Sequence, residues 1–88
     1  MNTLTQYVND MNQWNAIFGM TPLDINNDLD RVQIAQKIDS ELSPENLHCD
    51  GEISQAEAMR KLRKLNKVAA ELIKLDPSVR NQLSEYYP

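Results

Sequence analysis

The side chains with the most chemistry are gathered between positions 46 and 57: Asn46, His48, Cys49, Asp50, Glu52, Ser54 and Glu57, around Gly51. With Asn46 as the first position of a twelve-residue loop, oxygen donors fall at positions one (Asn46), five (Asp50), seven (the Glu52 carbonyl), nine (Ser54) and twelve (Glu57), with glycine at six and Ile53 at eight. A hard divalent cation needs oxygens at one, three, five, seven, nine and twelve, and a glycine at six for the sharp turn. Position three is His48, and imidazole suits zinc, copper or nickel better than calcium. Only Asp50 and Glu57 bring carboxylate side chains to the ligating positions, so the charge of a bound cation is incompletely neutralised.

On these positions the segment resembles a degenerate EF-hand loop. The resemblance implies a calcium site of at best millimolar affinity built from Asn46, Asp50, Glu52, Ser54 and Glu57. Pro44 stands where the helix leading into such a loop should still be running, and there is no second hand: Asp24 to Leu29 has the early spacing but Leu29 in place of glycine. A structural reading accounts for the same residues. Gly51 makes a turn, Ser54 and Glu57 form a capping box, Asp50 and Glu52 favour the positive end of the following helix, and Leu47 and Ile53 plug the core. A transition-metal site through His48, Cys49 and Asp50 is a third alternative, but adjacent ligands in a short loop rarely close a tetrahedron and the chain has no second histidine.

Catalytic constellations find little here. His48 and Cys49 are neighbours in a turn with no third group to orient them. Nucleophile elbows and phosphate-cradling glycine loops are missing from the sequence.

The second chemical feature is a run of cations, Arg60, Lys61, Arg63, Lys64 and Lys67. At helical spacing Arg60, Arg63, Lys64 and Lys67 share one outward face, which suits an acidic protein or phosphates. A solvated face partly neutralised by Asp28, Asp30, Asp39 and Glu41 is the plainer alternative. Nucleic-acid binders usually add aromatic stacking groups and are basic overall, whereas this chain has a net charge of −4. That total hides an asymmetry: residues 1–57 hold ten acids and two bases, a net of −8, and residues 58–88 hold three acids and seven bases, a net of +4. A chain so divided can dock its own halves, a copy of itself, or two different partners. A DNA mimic is a lesser alternative, since mimics are usually denser in acids. Tyr86 and Tyr87, beside Pro88, are residues of the type that anchors interfaces.

The elements that must position these groups are helices. Eighty-eight residues make one domain with a thin stability margin. With two glycines and no alternating β-branched run, the expected class is all-α, a small bundle of three main helices plus short helical turns, over about 4–18, 29–42, 55–75 and 78–85. Thr3 and Gln6 suggest a capping box, and Leu4, Tyr7, Val8, Met11, Trp14 and Phe18 recur on one face, with Trp14 expected in the core. Gly19 fits the helix stop. Thr21-Pro22 suggests a short helical turn, and Asn26-Asn27-Asp28 a break and a fresh cap. Leu29, Val32, Ala35, Ile38 and Leu42 read as the core stripe of the second helix, with Ile34 off it. Ala58, Leu62, Leu65, Ala69 and Leu72 form the seam of the third, flanked by Met59, Val68 and Ile73. Val79 and Leu83 anchor the last. One cysteine permits no internal disulfide and favours a cytoplasmic setting. No secretion signal or membrane span is visible.

The segment from Ser43 to Ser54, with Leu47-His48-Cys49-Asp50-Gly51-Glu52 followed by the basic helix, resembles small accessory proteins of tailed bacteriophages and their prophages. That resemblance covers about 30 residues and assigns no site residue. It implies a bacterial cytoplasm during infection, where such proteins bind and redirect host or defence proteins. The expected function is therefore non-enzymatic protein binding, with homodimerisation open and no cofactor. Metal response through the loop and nucleic-acid binding through residues 60–67 are the alternatives.

Overall fold

The first helix, α1, spans Thr3–Ile17, and the residues after it dictate where it stops. Gly19 takes φ +70°. Its N–H donates to the Ala16 carbonyl at 3.1 Å, and the Met20 N–H donates to the Asn15 carbonyl at 2.7 Å. These are the two bonds of a Schellman motif, which a glycine at this position permits without a Cβ penalty. A computed structural model describes residues 3–43, 46 and 55–83.

The second helix, α2, spans Asp28–Leu42. Its N-cap is Asn27, whose side-chain oxygen accepts from the amides of Leu29 (3.0 Å) and Asp30 (3.1 Å), while Asp28 and Asp30 favour the helix dipole in the first turn. The third, α3, spans Gln55–Leu75. Asp76 then caps a 3-10 helix over Pro77–Leu83, accepting at its Oδ1 from the Ser78 amide (3.1 Å) and hydroxyl (2.6 Å). Proline at the first helical position lacks only a donor that would have no partner. The all-α class holds, and among the described residues there is no strand.

Two long-range bonds fix the directions. The Leu4 amide, at the start of α1, donates to Glu71 near the end of α3 at 2.6 Å. Arg31, at the start of α2, donates to Asp76 just past the end of α3 at 2.8 Å. Both α1 and α2 therefore run antiparallel to α3 and parallel to each other. Residues 18–27 must return along the bundle to connect them. That return is clamped to α1 by Asn12, whose amide accepts from the Leu23 N–H (2.8 Å) and donates to the Leu23 carbonyl (2.9 Å). The clamp corrects the expected helical turn at Thr21-Pro22: Leu23 spends its backbone groups on Asn12, and residues 20–24 are irregular. Arg31 completes the joint, donating to the Ile25 carbonyl at 2.8 Å and pairing with Asp28.

One apolar cluster joins all four elements: Leu4 and Val8 from α1, Ile34, Ala35, Ile38 and Leu42 from α2, Leu65, Val68, Ala69 and Leu72 from α3, and Val79 and Leu83 from the 3-10 helix. The buried stripe of α2 keeps the expected Ala35, Ile38 and Leu42 but adds Ile34 and loses its first turn, with Val32 half-buried. Ile34 is fully buried and Leu29 is 75% exposed, because α2 meets α3 and the 3-10 helix on the face of residues 34, 38 and 42, one turn beyond its capped start. In α3, Val68 lies at the centre of the seam and Met59 is exposed. The capping box expected of Thr3 and Gln6 gives way to a tertiary cap: Glu71 takes the Leu4 amide, and Gln6 donates to Asp10 at 2.9 Å.

Candidate functional site

The apolar stripe of α1 divides. Leu4 and Val8 turn into the core, while Tyr7, Met11, Trp14 and Phe18, at i, i+4, i+7 and i+11, line a cleft of about 1010 Å³. One wall is this stripe and the return segment from Met20 to Leu23. The other wall is the α2 face of Asp30, Gln33, Lys37 and Glu41, and Lys61, Lys64 and Leu65 of α3 form the floor. The cleft exists because α1 and α2 both pack on α3 and barely touch each other.

Its open part is aromatic. Trp14 is 64% exposed and Phe18 71%, with stacked rings 6.3 Å apart at 17°. Met20 lines the same cleft, and Ile17, in the last turn of α1, is 71% exposed. Trp14 and Phe18 are thus not core residues, contrary to the sequence expectation. Trp14 and Phe18 stay bare because the Schellman stop turns the chain back along the other side of the helix end, toward Asn12. The four residues leave on the order of 500 Å² of apolar surface, near the upper end of what an ordinary monomer exposes.

The narrow end is polar. The Tyr7 hydroxyl donates to Glu41 Oε2 at 2.7 Å. Burial, and next the neighbouring Glu41 carboxylate, push the Tyr7 phenol well above its ordinary 10.0, so it remains a donor throughout the neutral range. Around the cleft stand three acids (Asp10, Asp30, Glu41) and three bases (Lys37, Lys61, Lys64). Among the described residues none of the six makes an ion pair, whereas Arg31 pairs with both Asp28 and Asp76.

Arg60, Arg63, Lys64 and Lys67 are all exposed on one face of α3, as the helical spacing requires. Lys64 belongs both to this face and to the cleft, so the stripe starts at the cleft floor. Tyr86 and Tyr87 lie outside the described residues, as do Asp50, Glu52 and Ser54 of the candidate metal loop. Of that loop Asn46 and Glu57 are described. Asn46 donates its side-chain amide to the Ser40 carbonyl at 2.5 Å, in the last turn of α2, where that carbonyl also accepts from the Ser43 N–H at 3.2 Å. Its own carbonyl accepts from Lys61 at 3.3 Å. Glu57 is exposed in the first turn of α3, where a carboxylate favours the dipole. Among the described residues no three His, Cys, Asp or Glu side chains gather to hold a metal, and no helix is long and apolar enough to cross a membrane.

Sequence reasoning pointed to the basic stripe and passed over the cleft. Its signal was available: Phe18-Gly19-Met20 places large apolar groups on both sides of a helix stop, where a neighbouring element rarely covers both. No protein-family model, no curated protein and no solved structure matches the chain.

Proposed function

We propose that this protein is a non-enzymatic protein-binding module whose site is the cleft between α1 and α2. The observation that carries the reading is the exposed Trp14–Phe18 stack. Tryptophan and phenylalanine placed on a cleft wall, with polar groups around them, form the type of centre that supplies most of the energy in protein interfaces. A small ligand needs enclosure that this open wall does not give; an interface with another chain, about 800 Å² on each side, matches it better.

In its narrower form the reading is the one implied by the Leu47–Glu52 resemblance: a phage-type accessory protein that engages a host or defence protein in the cytoplasm. The basic stripe supports a second reading, binding of nucleic acid through Arg60, Arg63, Lys64 and Lys67. The arrangement favours protein, because the available aromatics stand in a cleft where three acids (Asp10, Asp30, Glu41) offset three bases (Lys37, Lys61, Lys64), which leaves no net attraction for phosphates. Nucleic-acid binding through the stripe would weaken steeply with salt.

The test is a photo-crosslinking residue at Gln33, on the α2 wall. It should capture a polypeptide, foreign or its own, at fixed stoichiometry, and lose it in Trp14→Ser/Phe18→Ser. A probe that captures no chain at all, with the protein folded, overturns the reading.

A further inference from the structure

We infer that the occupant of the cleft is a second copy of this chain, in a two-fold dimer in which Trp14 and Phe18 of each copy enter the cleft of the other. The inference rests on the protein-binding reading and names its partner. Two observations carry it.

The first is charge. An interface for a foreign acidic or basic chain presents one sign, whereas a two-fold interface must complement itself, because the same patch faces its own copy. The cleft carries three acids and three bases, with no ion pair among them in the described residues. On two of the three elements one sign stands alone: the charged groups of the α3 floor are Lys61 and Lys64, and that of α1 is Asp10, while α2 carries both signs in Asp30, Lys37 and Glu41. Bringing α1 of one copy onto the floor of the other therefore sets Asp10 against Lys61 and Lys64, twice over.

The second is area. A stable interface needs about 800 Å² on each side, a little under two-thirds of it apolar at most. The Trp14, Ile17, Phe18 and Met20 surface, on the order of 500 Å², supplies that apolar share without rearrangement, and the cleft rim supplies the polar remainder. A chain of this size has a thin stability margin, and a second copy covers the largest apolar groups that the fold leaves outside.

Trp14 is the only tryptophan in the chain, so its emission reports the interface directly. The experiment is sedimentation equilibrium with tryptophan emission, from about 1 to 500 µM. The wild type is expected to reach twice the chain mass, with emission moving to shorter wavelength as dimer forms. Trp14→Ser/Phe18→Ser should have one chain mass and unchanged helicity, since both side chains are exposed. Two charge-biased variants, Lys37→Glu/Lys64→Glu and Asp10→Lys/Gln33→Lys, should each be monomeric alone and should form a one-to-one heterodimer when mixed. A wild type that remains one chain at 500 µM overturns the inference, while the Gln33 probe decides separately whether the cleft binds a foreign chain. Dimerisation that survives Trp14→Ser/Phe18→Ser, or leaves the Trp14 emission unmoved, places the interface elsewhere and overturns it equally.

Discussion

The Tyr7 hydroxyl and the Glu41 carboxylate meet at 2.7 Å across the gap between two parallel helices that otherwise barely touch. This bond sets the width of the cleft at its closed end. Tyr7→Phe should lower stability by about 1–2 kcal/mol, the loss of a partly buried bond to a charged acceptor. It should also alter the alkaline limb. The Tyr7 phenol is held above its ordinary value by burial and by Glu41. Its contribution is therefore complete below about pH 10 and is lost as pH rises further, toward the folded-state value. Urea unfolding at pH 7 and pH 11 should show the wild type losing more stability between the two than Tyr7→Phe does.

Ile34 and Leu29, the two α2 residues that depart from the expected stripe, give a sharper test of the core. Ile34→Asp puts a carboxylate where no solvent reaches and should leave the protein unfolded at room temperature, since an unpaired buried charge exceeds the whole margin of a small domain. Leu29→Asp should change stability by no more than about 0.5 kcal/mol, because the position is exposed and lies in the first turn, where an acid suits the dipole. Circular dichroism of the two variants separates them; equal effects would contradict the packing.

Acid should act through Asp76. Hydrogen bonds from Ser78, and then from the Arg31 guanidinium, hold this carboxyl below its ordinary 3.8. The stabilisation is present above about pH 3.8 and disappears as pH falls through the lower folded-state value. Asp76→Ala should reduce the thermal midpoint at pH 7 and flatten its fall between pH 4 and pH 2. The variant also removes the cap of the 3-10 helix, so Val79 and Leu83 amides should exchange faster than those of α1.

Gly19 tests the stop that leaves Trp14 and Phe18 bare. A Cβ at this position meets no atom within 4 Å, so any penalty comes from φ +70° alone. Gly19→Ala should cost about 1 kcal/mol, and Gly19→Asn less, because asparagine tolerates the left-handed region. Thermal unfolding of the two variants ranks them.

How far the residues disclosed this arrangement differs by element. The third helix was legible to its ends, 55–75, because a capping signal and Asp76-Pro77 bracket a regular apolar period. The stop at Gly19 and the break before α2 were legible for the same local reason. In α2 the stripe was legible at Ala35, Ile38 and Leu42, but not where it starts nor that it takes in Ile34, since Leu29 and Val32 extend an apolar period that only the position of α3 can cut short. Trp14 and Phe18 show the same limit on the side of function. Their period marks one face of a helix, but whether anything packs on that face depends on where residues 18–27 go, and Asn12 decides that through two bonds to Leu23. The basic face of α3 could be read because charge at helical spacing needs no neighbour to be exposed. The cleft is made by three elements, and no single stretch of sequence contains it.

The Leu4–Glu71 bond joins residues 67 positions apart, and α1 has its main packing partner in α3 rather than in the helix that follows it. On a ribosome, α1 is thus made well before the partner it packs on. Until residue 71 has emerged, α1 is a short segment whose core residues, Leu4 and Val8, have nothing to rest on. Vectorial folding from the N-terminus is closed to this chain. A nascent chain stalled before α3 should be open to protease throughout its first 42 residues, and protection should arrive in one step once α3 is free.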